Sequence, residues 1–200
     1  MKNFGLGTNC SWGENCLTVP ATGYCVNSGA FNPNAPEYAF SLAFNITTLP
    51  TGAVVLISQS GQNNCRATAN DRFSVYTASR VLYVAVKKNS GTTTSDVVTI
   101  NTGVTLVANT NYVLDIVVKA TSVEVYLNGQ LVAENTSFTY TDFVSDVKVG
   151  LGCYCDTEGW KSSGQGVVNY YALNFYNRSL SIEEIETNLK VYNERFSLGL

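Results

Sequence analysis

The stretch Tyr38-Ala39-Phe40-Ser41-Leu42-Ala43-Phe44-Asn45-Ile46 decides the fold class. Large apolar side chains at every second position alternate with Ala39, Ser41, Ala43 and Asn45. A period of two is that of a β-strand with one heavy inward face. Outward from it, Leu49-Pro50-Thr51-Gly52 turns the chain into a second strand over 53–58. Strand patterns return over 73–76, 81–87, 97–100, 112–119, 123–127, 130–134, 147–151 and 167–175. Asn128-Gly129 supplies the two residues tolerant of positive φ that a type I′ hairpin requires. In the stretch 112–119, Val113, Asp115 and Val117 share one face, and Tyr112, Leu114, Ile116 and Val118 the other.

Only the C-terminal stretch changes period. Ser181 and Glu184 have capping-box spacing, and Leu180 with Ile185 sit where a hydrophobic staple would. Ile182, Ile185, Leu189, Tyr192 and Phe196 recur at helical spacing, with Lys190 and Arg195 toward the end that favours cations. These patterns predict an all-β two-sheet sandwich carrying one short C-terminal amphipathic helix. The expected organisation is a single domain over 1–200: a turn-rich, cysteine-bearing, irregular cap (1–36), a sandwich (37–178) and a helix (181–197).

Composition narrows the function classes. The 200 residues are 45% hydrophobic and only 14% charged, with a net charge of −3. Soluble domains average about 25% charged residues, so a disordered chain, a coiled coil and a basic nucleic-acid binder are excluded. There is no histidine, which removes Ser-His-Asp and Cys-His devices and every His-ligated metal site. No stretch approaches the roughly 18 apolar residues that span a bilayer. Behind Lys2 there is no apolar run of the kind a secretory signal carries. The expectation is that a leader was removed, or that the protein reaches its place of work by assembly or lysis.

The six cysteines are Cys10, Cys16, Cys25, Cys65, Cys153 and Cys155. An even count amid Gly, Asn and Ser makes all six disulfide candidates, and six thiols allow fifteen pairings that sequence does not choose among. Part-buried thiols are the alternative. An all-thiolate zinc site is disfavoured by the absence of the usual C-x₂₋₄-C pairs.

Three segments resemble the laminin-G-like branch of the concanavalin A-like lectin/glucanase family. They are the aromatic strand 37–44, the hairpin of 111–118 with 123–132 around Tyr126-Leu127-Asn128-Gly129, and 166–185, with Tyr176-Asn177-Arg178-Ser179-Leu180-Ser181 linking the last strand to the helix. The resemblance covers roughly 37–196 and implies a jelly-roll of two antiparallel sheets. It also implies a module that binds glycans or proteins, often in a surface or bacteriophage structural protein. The cysteine-bearing cap and the Cys153-Tyr154-Cys155 loop depart from the family pattern.

Glycosidases of this fold need acids alternating along one strand, close to E-x-D-x-E, and this chain has no such run. Glu183, Glu184 and Glu186 are better explained by helix capping and dipole electrostatics. Asp115 and Glu124 lie on neighbouring strands, where a polar position on the solvent face is the simpler reading of each. The expectation is therefore no enzyme and no cofactor. Calcium is the alternative, held at a loop rim by Asp142, Asp146, Asp156 or Glu158, whose spacing matches no named metal loop. A sugar site needs an exposed aromatic platform beside groups that bond hydroxyls. Tyr154, Asp156, Glu158 and Trp160 provide these within one loop and are the expected ligand-binding residues, unless Trp160 simply anchors that loop against the sheet. Trp12 is a second aromatic candidate, whereas Tyr170, Tyr171, Phe175 and Tyr176 are read as core and cross-strand packing.

The function expected is a non-catalytic glycan-binding or adhesion module displayed on a virion or an extracellular surface. The alternative is a structural virion protein, such as a capsid decoration, head fibre or tail component. Expected partners are a surface glycan or another structural protein, with assembly into a homo-oligomer or larger particle left open, and neither nucleic acid nor membrane.

Overall fold

The computed structural model describes residues 9–26, 37–60, 71–88, 97–137, 139, 148–156, 159–162 and 166–200. One sheet has seven strands in the order β1 (Ser11–Trp12), β2 (Leu17–Val19), β15 (Val167–Tyr176), β4 (Tyr38–Thr48), β9 (Asn111–Val118), β10 (Val123–Leu127) and β11 (Gln130–Asn135). The facing sheet has six, ordered β3 (Cys25–Val26), β12 (Lys148–Leu151), β5 (Val54–Ser60), β6 (Asp71–Ala78), β7 (Val81–Lys87) and β8 (Val97–Thr105). A separate ribbon pairs β13 (Cys153–Asp156) with β14 (Gly159–Ser162), and α1 spans Ile182–Phe196. Neighbouring strands run antiparallel in both sheets. This is the expected sandwich.

The strand β4 holds the layers together. Tyr38, Phe40, Leu42, Phe44 and Ile46 enter the core between the sheets, where they join Leu56, Phe73, Val75, Leu82 and Val84 of the opposite layer. Phe40 stacks on Phe73 with ring centroids 4.4 Å apart. Burying each such side chain contributes about 1.5–3 kcal/mol.

The other face of β4 is buried as well, although its period suggests only one inward face. Ala39 packs with Val117, Leu180 and Ile185, and Ala43 packs with Val113, Tyr192 and Leu198. The small residues of the alternation are there because α1 lies over them. The helix starts with the expected capping box between Ser181 and Glu184. Arg178 donates to both Glu184 carboxylate oxygens, at 2.7 and 2.6 Å, and this pairing pulls the Glu184 carboxyl down to about 2. Ile182 does not join the apolar face; it is exposed at the first turn.

Two expectations change. The described part of the cap is not irregular: Leu17, Val19 and Cys25 are buried, and their short strands extend both sheets. Asp115 is not on a solvent face; it is fully buried beneath the helix. It stands opposite Ser41 in the ladder and accepts from the Asn188 amide at 3.5 Å, while its Oδ2 has no hydrogen-bond partner. The outward face of β9 became an interior when α1 closed over it.

Burial lifts the Asp115 carboxyl from its ordinary 3.8 to about 6. Below about pH 4 folded and unfolded chains both hold this proton; between about 4 and 6 the unfolded chain loses it first. Above that window the folded chain carries a buried charge, so this group's contribution falls as pH rises. Asp115→Asn is therefore expected to raise stability at about pH 7.5 by up to about 3 kcal/mol, with the gain fading toward pH 4, as read by urea denaturation at both pH values.

Candidate functional site

The β1–β2 hairpin projects from the edge of the seven-stranded sheet. Trp12 stands opposite Leu17 in its ladder, and the Gly13 N–H closes the turn onto the Cys16 carbonyl at 2.8 Å. Leu17 and Val19 anchor the hairpin in the core, and the Thr18 hydroxyl bonds Asn169 Oδ1 of β15 at 2.9 Å. Trp12, by contrast, is 60% exposed. An indole held in water on a two-residue edge strand does not serve the core.

Beside it, β15 carries a β-bulge. Tyr170 pairs with Phe44 and Ala172 with Ala43, leaving Tyr171 as the extra residue. Alternation after the inward Tyr170 sends Tyr171 to the helix face, and the bulge places Ala172 there as well. Tyr170 keeps its core position, buried, with its hydroxyl on the Leu56 carbonyl. Tyr171 instead tilts against Phe196 of α1, with ring centroids 5.8 Å apart, and donates to Asn111 Oδ1 at 3.2 Å. Asn111 also accepts from Asn45 at 3.0 Å and donates to the Leu198 carbonyl at 2.7 Å. One amide thus fixes the tyrosine ring and the chain beyond the helix together. Partial burial raises the Tyr171 phenol above its ordinary value, which keeps it a neutral donor.

These elements enclose a cleft of about 310 Å³ whose walls include Trp12, Glu14, Asn15, Tyr171, Arg195 and Phe196. The Arg195 guanidinium sits 5.4 Å from the centre of the Phe196 ring. Three aromatic side chains stand beside a carboxylate, an amide and a guanidinium. Rings of this kind accept the C–H face of a pyranose, and the three polar groups offer donors and acceptors to its hydroxyls. Trp12 is the second aromatic candidate of the sequence, and Tyr171 packs as its sequence position suggests, against the cluster of Ala43, Tyr192 and Leu198, while it also walls the cleft.

The expected ligand residues Tyr154, Asp156 and Trp160 fall on the β13–β14 ribbon, and Glu158 lies outside the described residues. In this ladder Cys155 faces Trp160, Tyr154 faces Lys161 and Asp156 faces Gly159. Cys153 is buried, and the Ser162 hydroxyl donates to the Ala21 carbonyl at 2.7 Å. The segment read as a loop is a pair of antiparallel strands, and the side chains of Tyr154, Asp156 and Trp160 lie outside the described residues.

Of the cysteines, Cys10, Cys16, Cys25 and Cys153 carry no disulfide. The described part of the cap is held by strand pairing and by burial of Leu17, Val19 and Cys25. Cys65 and the Cys155 side chain lie outside the description, as do Asp142, Asp146, Glu158 and the Asp156 side chain considered for calcium. Among the described residues no three His, Cys, Asp or Glu side chains form a metal-holding group. Asp115 and Glu124 have separate partners: Glu124 binds Lys119 and accepts from the Tyr126 hydroxyl at 2.9 Å. No helix among the described residues is long and apolar enough to cross a membrane.

Two antiparallel sheets packed face to face with one helix on the outer face make a concanavalin A-like jelly-roll sandwich. The chain belongs to the concanavalin A-like lectin/glucanases superfamily, whose laminin-G-like family profile matches residues 21–186. No curated protein matches the chain in sequence. Among solved structures it is similar to the binding domain of botulinum neurotoxin DC in complex with SialylT, at 11% identity and a TM-score of 0.73, over 95% of this chain and 46% of that one. The structure titled "Cell entry of botulinum neurotoxin type C is dependent upon interaction with two ganglioside molecules" aligns at 10% identity and 0.71, over 95% and 46%. The botulinum neurotoxin DC binding domain with rat synaptotagmin II aligns at 12% and 0.71, again over 95% and 46%. The chain therefore spans just under half the length of these domains, and at such identities the likeness is one of fold.

With two tryptophans in the sequence, Trp160→Phe leaves Trp12 as sole reporter. Its emission is expected to be red-shifted and readily quenched by iodide; a blue, iodide-resistant emission would contradict an exposed indole at the cleft.

Proposed function

We propose that this chain is a non-catalytic recognition module that holds a carbohydrate in the cleft beneath Trp12. The observation that carries the reading is an indole 60% exposed at a cleft that Tyr171, Phe196, Glu14 and Arg195 also wall. A structural strand would bury its tryptophan. Membership of a lectin-like superfamily supports the reading. So do the titles of the similar toxin binding domains, one of which names gangliosides and another a protein partner, synaptotagmin II. Those domains are about twice the length of this chain, so their ligands inform the class of partner and not its identity.

In this reading the sandwich is displayed on a virion or an extracellular surface, and the cleft supplies adhesion rather than bond cleavage. Of the described carboxylates, Glu184 caps the helix, Glu124 pairs with Lys119 and Asp115 is sealed beneath α1, while Glu14 stands at the cleft without a second carboxylate among its lining residues. The ribbon carrying Tyr154, Asp156 and Trp160 remains the second candidate contact surface, with Glu158 between its strands in sequence.

A glycan array with the purified chain is expected to give a defined set of binders, and incubation with those glycans to release no reducing sugar. Trp12→Ala should weaken binding at least about tenfold with an unchanged melting temperature, because the residue truncated is an exposed anchor. Trp160→Ala should leave affinity intact. Loss confined to Trp160→Ala would move the site to the ribbon. An array without binders, together with a closed oligomer in light scattering, would replace this reading with an architectural role in a virion.

A further inference from the structure

Among the described residues, the two most exposed large apolar side chains are Trp12 and Val107, each at 60%. Val107 stands between β8 and β9, at a second cleft of about 300 Å³ that shares no wall residue with the first. Its walls are Leu49, Arg80, Thr105, Leu106, Val107 and Ala108. Leu49 and Leu106 are buried and form the apolar floor, whereas Arg80, Thr105 and Val107 are exposed.

The cleft is built where connections at one end of the sandwich meet. Leu49 follows β4, Arg80 lies in the two-residue turn between β6 and β7, and Leu106 to Ala108 follow β8. Backbone bonds tie these connections together. The Ser79 N–H donates to the Thr51 carbonyl at 3.0 Å, and the Leu106 N–H to the Arg80 carbonyl at 2.9 Å. The Val107 N–H donates to the Tyr112 hydroxyl at 2.8 Å. The walls are therefore held in place before any ligand arrives.

The turn that presents Arg80 is strained. Ser79 and Arg80 take positive φ angles of 51° and 66°, close to the 51° and 77° of Asn128 and Gly129 in the other two-residue hairpin. That backbone suits Asn-Gly, and a side chain at its second position is disfavoured. Strain of this kind persists where the side chain it carries has a use. Arg178 pairs with Glu184 and Arg195 lies over the Phe196 ring, but the Arg80 guanidinium has no partner among the described residues. No carboxylate lines its cleft.

We propose that this second cleft docks the carboxy-terminal residue of a protein partner, whose aliphatic side chain enters against Leu49, Leu106 and Val107 while its α-carboxylate pairs with Arg80. Charge complementarity selects an anion, and a guanidinium fork matches a carboxylate in two parallel hydrogen bonds. The apolar walls are aliphatic throughout, with none of the rings that wall the Trp12 cleft, so an alkyl group fits them better than the face of a sugar. The volume lies at the small end of the range for ligand pockets, which suits one residue rather than a long acyl chain. Alkyl group and carboxylate joined on one small unit describe a terminal aliphatic amino acid. The site stands apart from the carbohydrate cleft, so either can fail without the other.

The test is an amide-resolved NMR titration of the isotope-labelled full chain with N-acetyl-leucine. The expected result is saturable shifts at the Arg80, Leu106 and Val107 amides, with a dissociation constant on the order of 1 mM for so small a probe. N-acetyl-leucinamide, which lacks the carboxylate, and N-acetylglycine, which lacks the alkyl group, should each bind at least about tenfold more weakly. Arg80→Gln and Val107→Ser should each cost the same factor, and Trp12→Ala should cost nothing. Arg80→Gly should lose the affinity yet raise the melting temperature by about 2–4 °C, because glycine adopts this φ freely. A fall in melting temperature for Arg80→Gly would make Arg80 a structural turn residue and overturn the assignment. So would equal binding of the amide, shifts confined to other segments, or octanoate or glucuronate binding this cleft more tightly than N-acetyl-leucine.

Discussion

Everything in this molecule depends on a strand that is buried from both sides. β4 sends Tyr38, Phe40, Leu42, Phe44 and Ile46 into the space between the sheets and offers Ala39, Ser41 and Ala43 to the helix behind it. The two faces meet different demands. The space between two packed sheets is about 10 Å deep and takes large side chains, whereas a helix seated on a sheet leaves room for small ones. The alternation of size along β4 therefore specifies a third layer, not merely an inside and an outside. The buried contacts of α1, Ile185 and Tyr192, lie over β4 and β9.

Much of this was legible in the sequence. The period-two runs placed the strands of both sheets, Asn128 and Gly129 take the positive φ angles of 51° and 77° their identities suggested, and Ser181 with Glu184 cap the helix as their spacing required. What was not legible depends on contacts that no local window contains. Asp115 reads as a solvent position because only the tertiary docking of α1 covers it. The cap reads as irregular because strands of two or three residues are too short to display a period, and they exist only where β12 and β15 offer free edges. The bulge at Tyr171 depends on where β15 and β4 lose register, which neither strand reveals alone.

The same reasoning separates the two aromatic candidates. Trp160 belongs to a segment rich in sugar-binding residue types, and that richness drew attention to it. Its strand pairs only with its neighbour in a two-stranded ribbon, and no described residue from a distant segment joins it in a cavity. Trp12 sits in a poorer segment, Gly13-Glu14-Asn15-Cys16, and acquires its neighbours Tyr171, Arg195 and Phe196 from more than 150 positions away. Composition within a loop is weak evidence for a site; convergence of distant segments on one cavity is stronger.

The walls of the cleft come from opposite ends of the described polypeptide, residues 12–16 on one side and 171, 195 and 196 on the other. A chain lacking either segment cannot possess it. A molecule bound there would bridge the β1–β2 hairpin and the β15–α1 segment, so opening either would weaken its hold. Occupancy would then stabilise both segments against opening, by an amount set by ligand concentration over its dissociation constant. The ligand would act as a latch on the fold's own seam.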